Sequence, residues 1–206
     1  MNDVFPQYRD LTLEQFEATS PGLVEAVTMV NGYIERIALA RAKGLGLTFL
    51  GQSGIGKTMM ASIVMGAAKN TGHKIECIEL ATYIDLYLEA IRGPVEDAID
   101  ADRNRRAWDH LRRIEKVHFL FVDDLGREHE SASGWSNERI FDLMRYRHNR
   151  CLPTLITTNL PLPELNLRYS EGMSSHLHGS SLFVVMDGED YRAGKGLAYA
   201  TWADRD

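Results

Sequence analysis

Residues Gly51 to Thr58 read GQSGIGKT, which meets the spacing G-x-x-x-x-G-K-[ST] at every fixed position. A loop with that spacing cradles phosphate. The backbone N–H groups of Gly54, Ile55, Gly56 and Lys57 can point inward, and Gly51 and Gly56 permit the tight turn and the close approach. Lys57 brings a positive charge to the β- and γ-phosphates, and Thr58 offers a hydroxyl to Mg²⁺. Gln52, Ser53 and Met59 complete the run expected against the nucleotide. Two fixed glycines, each at about 7% usage, with Lys and Thr beside them, rarely meet by chance in so short a chain.

Two further segments suit hydrolysis. In FLFVDDLG, four apolar residues, Phe119 to Val122, run into Asp123 and Asp124. Such a run reads as a buried strand of a parallel sheet, which delivers both carboxylates at its C-terminal end. Asp123 is placed to hold the Mg²⁺ shell together with Thr58, and Asp124 to orient or deprotonate a water. In PTLITTNLP, Asn159 leaves the next strand with a carboxamide that can bind a γ-phosphate oxygen or the attacking water. Lys57, Asp124 and Asn159 are the expected catalytic residues.

These groups need a frame that brings strand ends together. The chain has 206 residues with 44% hydrophobic and 25% charged, enough for one sizeable core. Residues 1–20 read as a lead-in and 21–206 as a single domain. Ser20 before Pro21 reads as a helix start, and a helix is expected from Leu23 to Lys43, with Val24, Val27, Val30, Ile34 and Ile37 on one side and Gly44 as its cap. LGLTFLG is a first buried strand. The helix after the phosphate loop stops at Gly72, KIECIEL is a second strand, and ATYIDLYLEAI is a helix ended by Gly93-Pro94. A charged helical segment, Val95 to Lys116, precedes the strand HFLFVDD. A helix over Asn137 to Asn149, the strand PTLITTN and the strand SLFVVMD follow. Strands alternating with helices predict an α/β fold with a parallel sheet covered on both faces.

The net charge of -6 argues against coating nucleic acid by bulk charge. Cys77 and Cys151, each in an apolar setting, read as buried free thiols of a reducing compartment. The polar start MNDVFPQYRD is no secretory signal, and no apolar run reaches the roughly 20 residues that span a bilayer. A cytoplasmic protein without a membrane partner is expected.

The chain resembles the AAA+ ATPases of the DnaC/IstB type, which are helicase loaders and transposase helper ATPases. The resemblance rests on LTLEQFE, GLTFLGQSGIGKT, FVDDLGRE, WSNERIF, YRHNRCLPTLITTNL and SSLFVVMDGEDYR, and covers nearly all of residues 11 to 192. It implies an ATP-dependent switch with a five-stranded sheet in the order 5-1-4-3-2 and no C-terminal lid domain. It also implies a ring or spiral homo-oligomer, a replicative hexameric helicase as partner, and contact with single-stranded DNA. Where relatives carry Ser-Arg-Leu, this chain reads Ser175-His176-Leu177. The arginine of that motif reaches a neighbour's γ-phosphate, so His176, or Arg168 on the same stretch, stands as the intersubunit finger. An arginine finger is worth about 10³ to 10⁵ in rate, so a neutral histidine implies low turnover.

The segment RNRRAWDHLRR sets Arg103, Arg105 and Arg106 near Trp108, a composition that suits phosphate contact and base stacking on a single strand. Asp100, Asp102 and Asp109 dilute that charge, and a salt-bridged solvent face with Trp108 in the core fits equally well. The functional expectation is an ATP-hydrolysing module acting as a helicase loader. The alternatives are a transposase helper ATPase, or a weakly hydrolysing nucleotide-dependent binding protein that regulates a replication partner. A small-molecule kinase is disfavoured, because no arginine-rich lid or acceptor pocket is legible.

Overall fold

The computed structural model describes residues 4–92, 98–127 and 134–191. Ser20 starts the first helix, α1 (Pro21–Glu35): its side-chain oxygen accepts from the Leu23 N–H at 3.1 Å. A second helix, α2 (Ile37–Lys43), ends on Gly44, whose φ of 67° is the left-handed cap expected. The single helix expected from Leu23 to Lys43 is therefore divided at Arg36, whose N–H reaches back three residues to the Tyr33 carbonyl at 3.1 Å.

The buried seam also differs from the one expected. It runs through Leu23, Ala26, Val30, Tyr33, Ile37 and Ala40, while Val24 is 52% exposed. Tyr33 sets this rotation, because its ring is buried and its hydroxyl donates to the Leu45 carbonyl at 2.7 Å. A seam centred on Val24 would turn that ring into water.

Five strands follow: β1 (Gly46–Leu50), β2 (Ile75–Glu79), β3 (Phe119–Leu125), β4 (Thr154–Thr158) and β5 (Ser181–Val185). They form one parallel sheet in the order β2-β3-β4-β1-β5, the order expected. Between them lie α3 (Lys57–Asn70), α4 (Leu80–Ala90), α5 (Ala98–Lys116), α6 (Trp135–His148), α7 (Leu162–Arg168) and α8 (Glu171–Ser180). Helix α6 starts two residues before the expected Asn137, and α7 and α8 occupy a stretch where the sequence predicts no helix. The expected turn at Gly93-Pro94 and the start of the charged helix at Val95 lie outside the described residues.

Alternation along β3 divides the core. Phe119 and Phe121 face α1, α2 and α3, and Leu120 and Val122 face the layer of α4, α5, α6 and α8. The N-terminal segment joins the first layer: Val4 is buried, and Phe5 meets Phe121 edge-on at 5.6 Å. Of the two cysteines, Cys77 is buried as expected. Cys151 is exposed, because it sits in a left-handed turn (φ 52°) between α6 and β4 rather than inside a strand.

Arg147 is wholly buried, and among the described residues no carboxylate pairs with it. Its guanidinium donates to the carbonyls of Ile114 (3.0 Å), Glu115 (3.1 Å), Val117 (3.0 Å) and Pro153 (2.8 Å) and to the Thr154 hydroxyl (2.9 Å). Three of those acceptors belong to the C-terminal end of α5 and the turn after it, where the helix dipole is negative. Burial pushes its pKa down to about 9, yet it stays charged at neutral pH. Arg147→Leu removes the donor from five acceptors, of which the Pro153 carbonyl keeps the Leu120 N–H. Urea denaturation is expected to show a loss of about 3 kcal/mol or more, from several buried acceptors at roughly 1 to 3 kcal/mol each. A loss below about 1 kcal/mol would mean that water replaces the guanidinium.

Candidate nucleotide site

The loop Gly51–Gly56 joins β1 to the N-terminus of α3, where the helix dipole is positive. All three of its glycines are required by their surroundings: at Gly51 (φ 156°) a Cβ would collide with the Met186 carbonyl oxygen. Gly56 (φ 98°) sits against the Phe16 ring, 2.8 Å from where a Cβ would stand, and Gly54 (φ 82°) sits against the Asp190 carboxylate, with which a Cβ would collide. Ile55 is buried and anchors the loop, whereas Gln52 and Ser53 are exposed.

Lys57 begins α3 and is 6% exposed. Its ammonium donates to the carbonyls of Gly51 and Gln52 and to Asn159 Oδ1, each at 2.7 Å. A lysine after β1 and an asparagine after β4, 102 residues apart, thus meet directly. They meet because β4 pairs with β1 and both strands end at the same edge.

Thr58 donates to Asp123 at 3.1 Å (Oδ1) and 3.3 Å (Oδ2). Asp123 is 7% exposed. Burial raises its pKa from the usual carboxylate value, and the neighbouring Asp124 adds to the effect, against hydrogen bonds from Thr157 and Thr58. A hydroxyl beside a buried carboxylate is an all-oxygen donor set suited to Mg²⁺. With Lys57 and a glycine loop at a helix N-terminus alongside, these residues fit a metal–triphosphate. Asp123 and Thr58 would hold the ion, which would neutralise charge on the phosphates.

Asp124 departs from strand geometry, with φ at 61°. The β3–β4 ladder passes from Val122↔Ile156 to Leu125↔Thr158, so β3 carries one extra residue there. The bulge sets Asp123 and Asp124 together opposite Thr157, and of the two carboxylates it is Asp123 that meets Thr58 at the start of α3. Asp124 Oδ2 is paired with Arg127 at 3.0 Å. Arg127 lies inside the quoted motif FVDDLGRE, but no role for it follows from spacing.

A cleft of about 640 Å³ adjoins the loop, lined by Phe16, Leu23, Ile55, Met59, Glu189 and Tyr191 among others. Phe16 and Tyr191 come from opposite ends of the described chain, so their convergence is not legible in sequence. The segment after β5 is fastened to the loop by the Tyr191 N–H, which donates to the Gly54 carbonyl at 3.1 Å.

The remaining expected residues lie elsewhere in the fold. His176, on α8, packs edge-on against Phe141 (6.0 Å) and His148 (4.7 Å) of α6, and burial lowers its pKa. Arg168 ends α7 and is partly buried, and its carbonyl accepts from the Asn137 side chain at 3.4 Å. On α5, Asp102 pairs with both Arg105 (2.5 Å) and Arg106 (2.6 Å). Trp108 is 36% exposed and meets Tyr87 edge-on at 5.8 Å. Tyr87 in turn touches Trp135 at 5.6 Å, and the Arg139 guanidinium lies 5.7 Å from its ring centre. The aromatic group is thus wider than the sequence suggests.

The two carboxylates have separable expected roles. Asp124→Asn is expected to keep Mg²⁺-dependent ATP affinity and to lower turnover by about 100-fold or more, because a carboxamide cannot accept the proton of water. Asp123→Asn is expected instead to weaken the Mg²⁺ dependence of binding itself. Calorimetric ATP titrations with and without Mg²⁺, together with phosphate release, separate the two. Identical behaviour of both variants would refute the division.

No protein-family model matches the chain. A curated relative, the uncharacterized protein YqaM of Bacillus subtilis (strain 168), is 26% identical over 135 residues, or 64% of this chain. The match spans only 39% of that relative's length. Among solved structures, the DnaC helicase loader superposes with a TM-score of 0.72 at 22% identity, over 89% of this chain and 100% of that one. The replication initiator DnaA bound to AMPPCP and single-stranded DNA gives 0.67 at 16% identity, over 90% of this chain and 51% of that one. With a glycine loop after β1 and the sheet order 5-1-4-3-2, the chain shares the α/β fold of the DnaC helicase loader.

Proposed function

We propose that the chain is an ATP-binding and ATP-hydrolysing AAA+ module of DNA replication, built as one domain over residues 21–206, and that it acts in the cytoplasm as a helicase loader. The observation that carries the ATP reading is the convergence of three strand ends. Lys57 meets Asn159 at 2.7 Å and Thr58 meets Asp123 at 3.1 Å, all beside a glycine loop at a helix N-terminus. In this reading the loop N–H groups and Lys57 hold the phosphates, and Thr58 and Asp123 hold Mg²⁺. Asn159 fixes the terminal phosphate or the water, and Asp124 takes the water's proton. Phe16, Ile55 and Met59 enclose the base.

The loader reading is supported by the DnaC likeness. Among the described residues, no helix is long and apolar enough to cross a membrane. The expected partner is a hexameric replicative helicase, with a ring or spiral of this chain placing Arg168 or His176 against a neighbouring ATP. Capture from the host with the Asp124→Asn protein and ATP distinguishes the pathways. Enrichment of a hexameric helicase supports the loader; enrichment of a transposase shows a transposase helper instead.

One observation favours a second reading, a nucleotide-dependent binding protein of low turnover. Asp124, the proposed base, is held by Arg127 at 3.0 Å. A pair this exposed contributes on the order of 1 kcal/mol or less, so a partner can break it at little cost. Turnover that neither DNA nor the captured partner raises would select this reading.

Single-stranded DNA is the expected ligand of the α5 face, through Arg103, Arg105, Arg106 and Trp108. Replacing the three arginines by Ala is expected to weaken binding and to lower the slope of log affinity against log salt by about 0.7 for each phosphate no longer neutralised. Fluorescence anisotropy across a salt series measures this. An unchanged slope would leave the arginines as partners of Asp102 on a solvated face.

A further inference from the structure

We propose that Thr157 is a positioning residue whose single hydroxyl orients the metal-binding carboxylate and holds the backbone of the catalytic one. The inference rests on reading Asp123 as the metal ligand and Asp124 as the base.

The ladder geometry makes this arrangement specific. Val122 pairs with Ile156 and Leu125 with Thr158, so Thr157 alone stands opposite two residues of β3, Asp123 and Asp124. Its hydroxyl engages both. It accepts from the Asp124 N–H at 2.9 Å and donates to Asp123 Oδ1. A bulge leaves a ladder N–H without a strand partner, and here the threonine oxygen supplies the acceptor. Thr157 is fully buried, so water does not compete for either bond.

The donated proton also decides which carboxylate oxygen is presented. Oδ1 of Asp123 receives Thr157 in addition to Thr58, whereas Oδ2, among the described residues, receives only Thr58, at 3.3 Å. Thr157 therefore fixes the rotation of the carboxylate and leaves Oδ2 as the oxygen with fewer protein donors, the one that would be freer to take a metal ion. The next residue, Thr158, faces the other way and donates to the Leu125 carbonyl at 2.7 Å, which pins the far side of the same bulge. Two neighbouring hydroxyls on β4 thus hold one irregularity on β3.

The test compares the parent with Thr157→Val, Thr157→Ala, Thr157→Ser and Asp123→Asn, each confirmed folded by thermal denaturation. Valine keeps the shape and removes the hydroxyl, alanine removes both, and serine keeps the hydroxyl. ATP affinity is measured by calorimetry in saturating Mg²⁺ and again in EDTA. Loss of a partner that orients a metal ligand lowers metal affinity by roughly 10-fold to 100-fold. The Mg²⁺-dependent gain in ATP affinity should fall by about that factor in Thr157→Val, with affinity in EDTA unchanged and Thr157→Ser close to the parent. Thr157→Ala carries the same comparison if the valine protein does not fold. A hydroxyl-free variant with the parent's Mg²⁺ dependence overturns the proposal, as does a serine variant as impaired as the valine one. If Asp123→Asn also keeps the parent's dependence, the metal-ligand reading fails and takes this inference with it. If Asp123→Asn loses the dependence and Thr157→Val keeps it, only the positioning role falls.

Discussion

The insertion of β4 between β1 and β3 is the constraint on which the site depends. In a parallel sheet every strand ends at the same edge, and neighbouring strands lie about 4.8 Å apart. Placing β4 in the middle puts Asn159 one strand spacing from the loop after β1. The same placement puts Thr157 one spacing from the carboxylates of β3. Had β3 paired directly with β1, Lys57 and Asp123 would stand side by side with no carboxamide between them. The Lys57–Asn159 and Thr157–Asp123 contacts are thus consequences of strand order rather than of local sequence.

Charge is buried at several points, and each is compensated differently. Arg147 is satisfied by carbonyls at the end of α5 and so needs no counter-ion. Glu76, on the outer strand β2, is covered by α5. Burial alone would raise its pKa, yet His110 at 3.0 Å and a two-pronged contact from Arg113 (3.0 and 3.1 Å) hold it below the usual value. Both contacts dock α5, whose exposed side carries the arginines. Asp123 differs, because its compensation comes from neutral hydroxyls and its pKa is raised. A carboxylate left short of positive charge is suited to a cation. The structural charges are closed off by the protein, and the one at the loop is not.

The glycine loop, the two carboxylates and Asn159 were legible as a group at the strand ends because each is a short pattern of fixed residue types. Strands β1 and β3 were legible because a buried parallel strand is a near-continuous apolar run, and β2, β4 and β5 because short β-branched or aromatic runs alternate with helical segments. The differences have equally local causes. Valine spacing alone cannot tell which of two adjacent stripes a tyrosine will anchor, so Val24 reads as buried when it is not. Helix α7 is only seven residues long with Pro161 and Pro163 at its start, and α8 carries only Met173 and Leu177 as large apolar residues, so periodicity gives no signal. Cys151 looks buried from its apolar neighbours but lies in a turn.

The sequence by itself determined the glycine-lysine spacing of the loop, the alternation of strands and helices, and the identity of the acidic and amide groups at the strand ends. These follow from residue type and short spacing, which survive in a linear chain. Tertiary structure alone decided that Phe16 and Tyr191 share a cleft, that Arg127 occupies Asp124, and that a bulge sets two successive aspartates opposite Thr157. Each of these depends on contacts between distant segments or on a strand register. Register is set by how whole faces pack, and no short stretch of the chain encodes it.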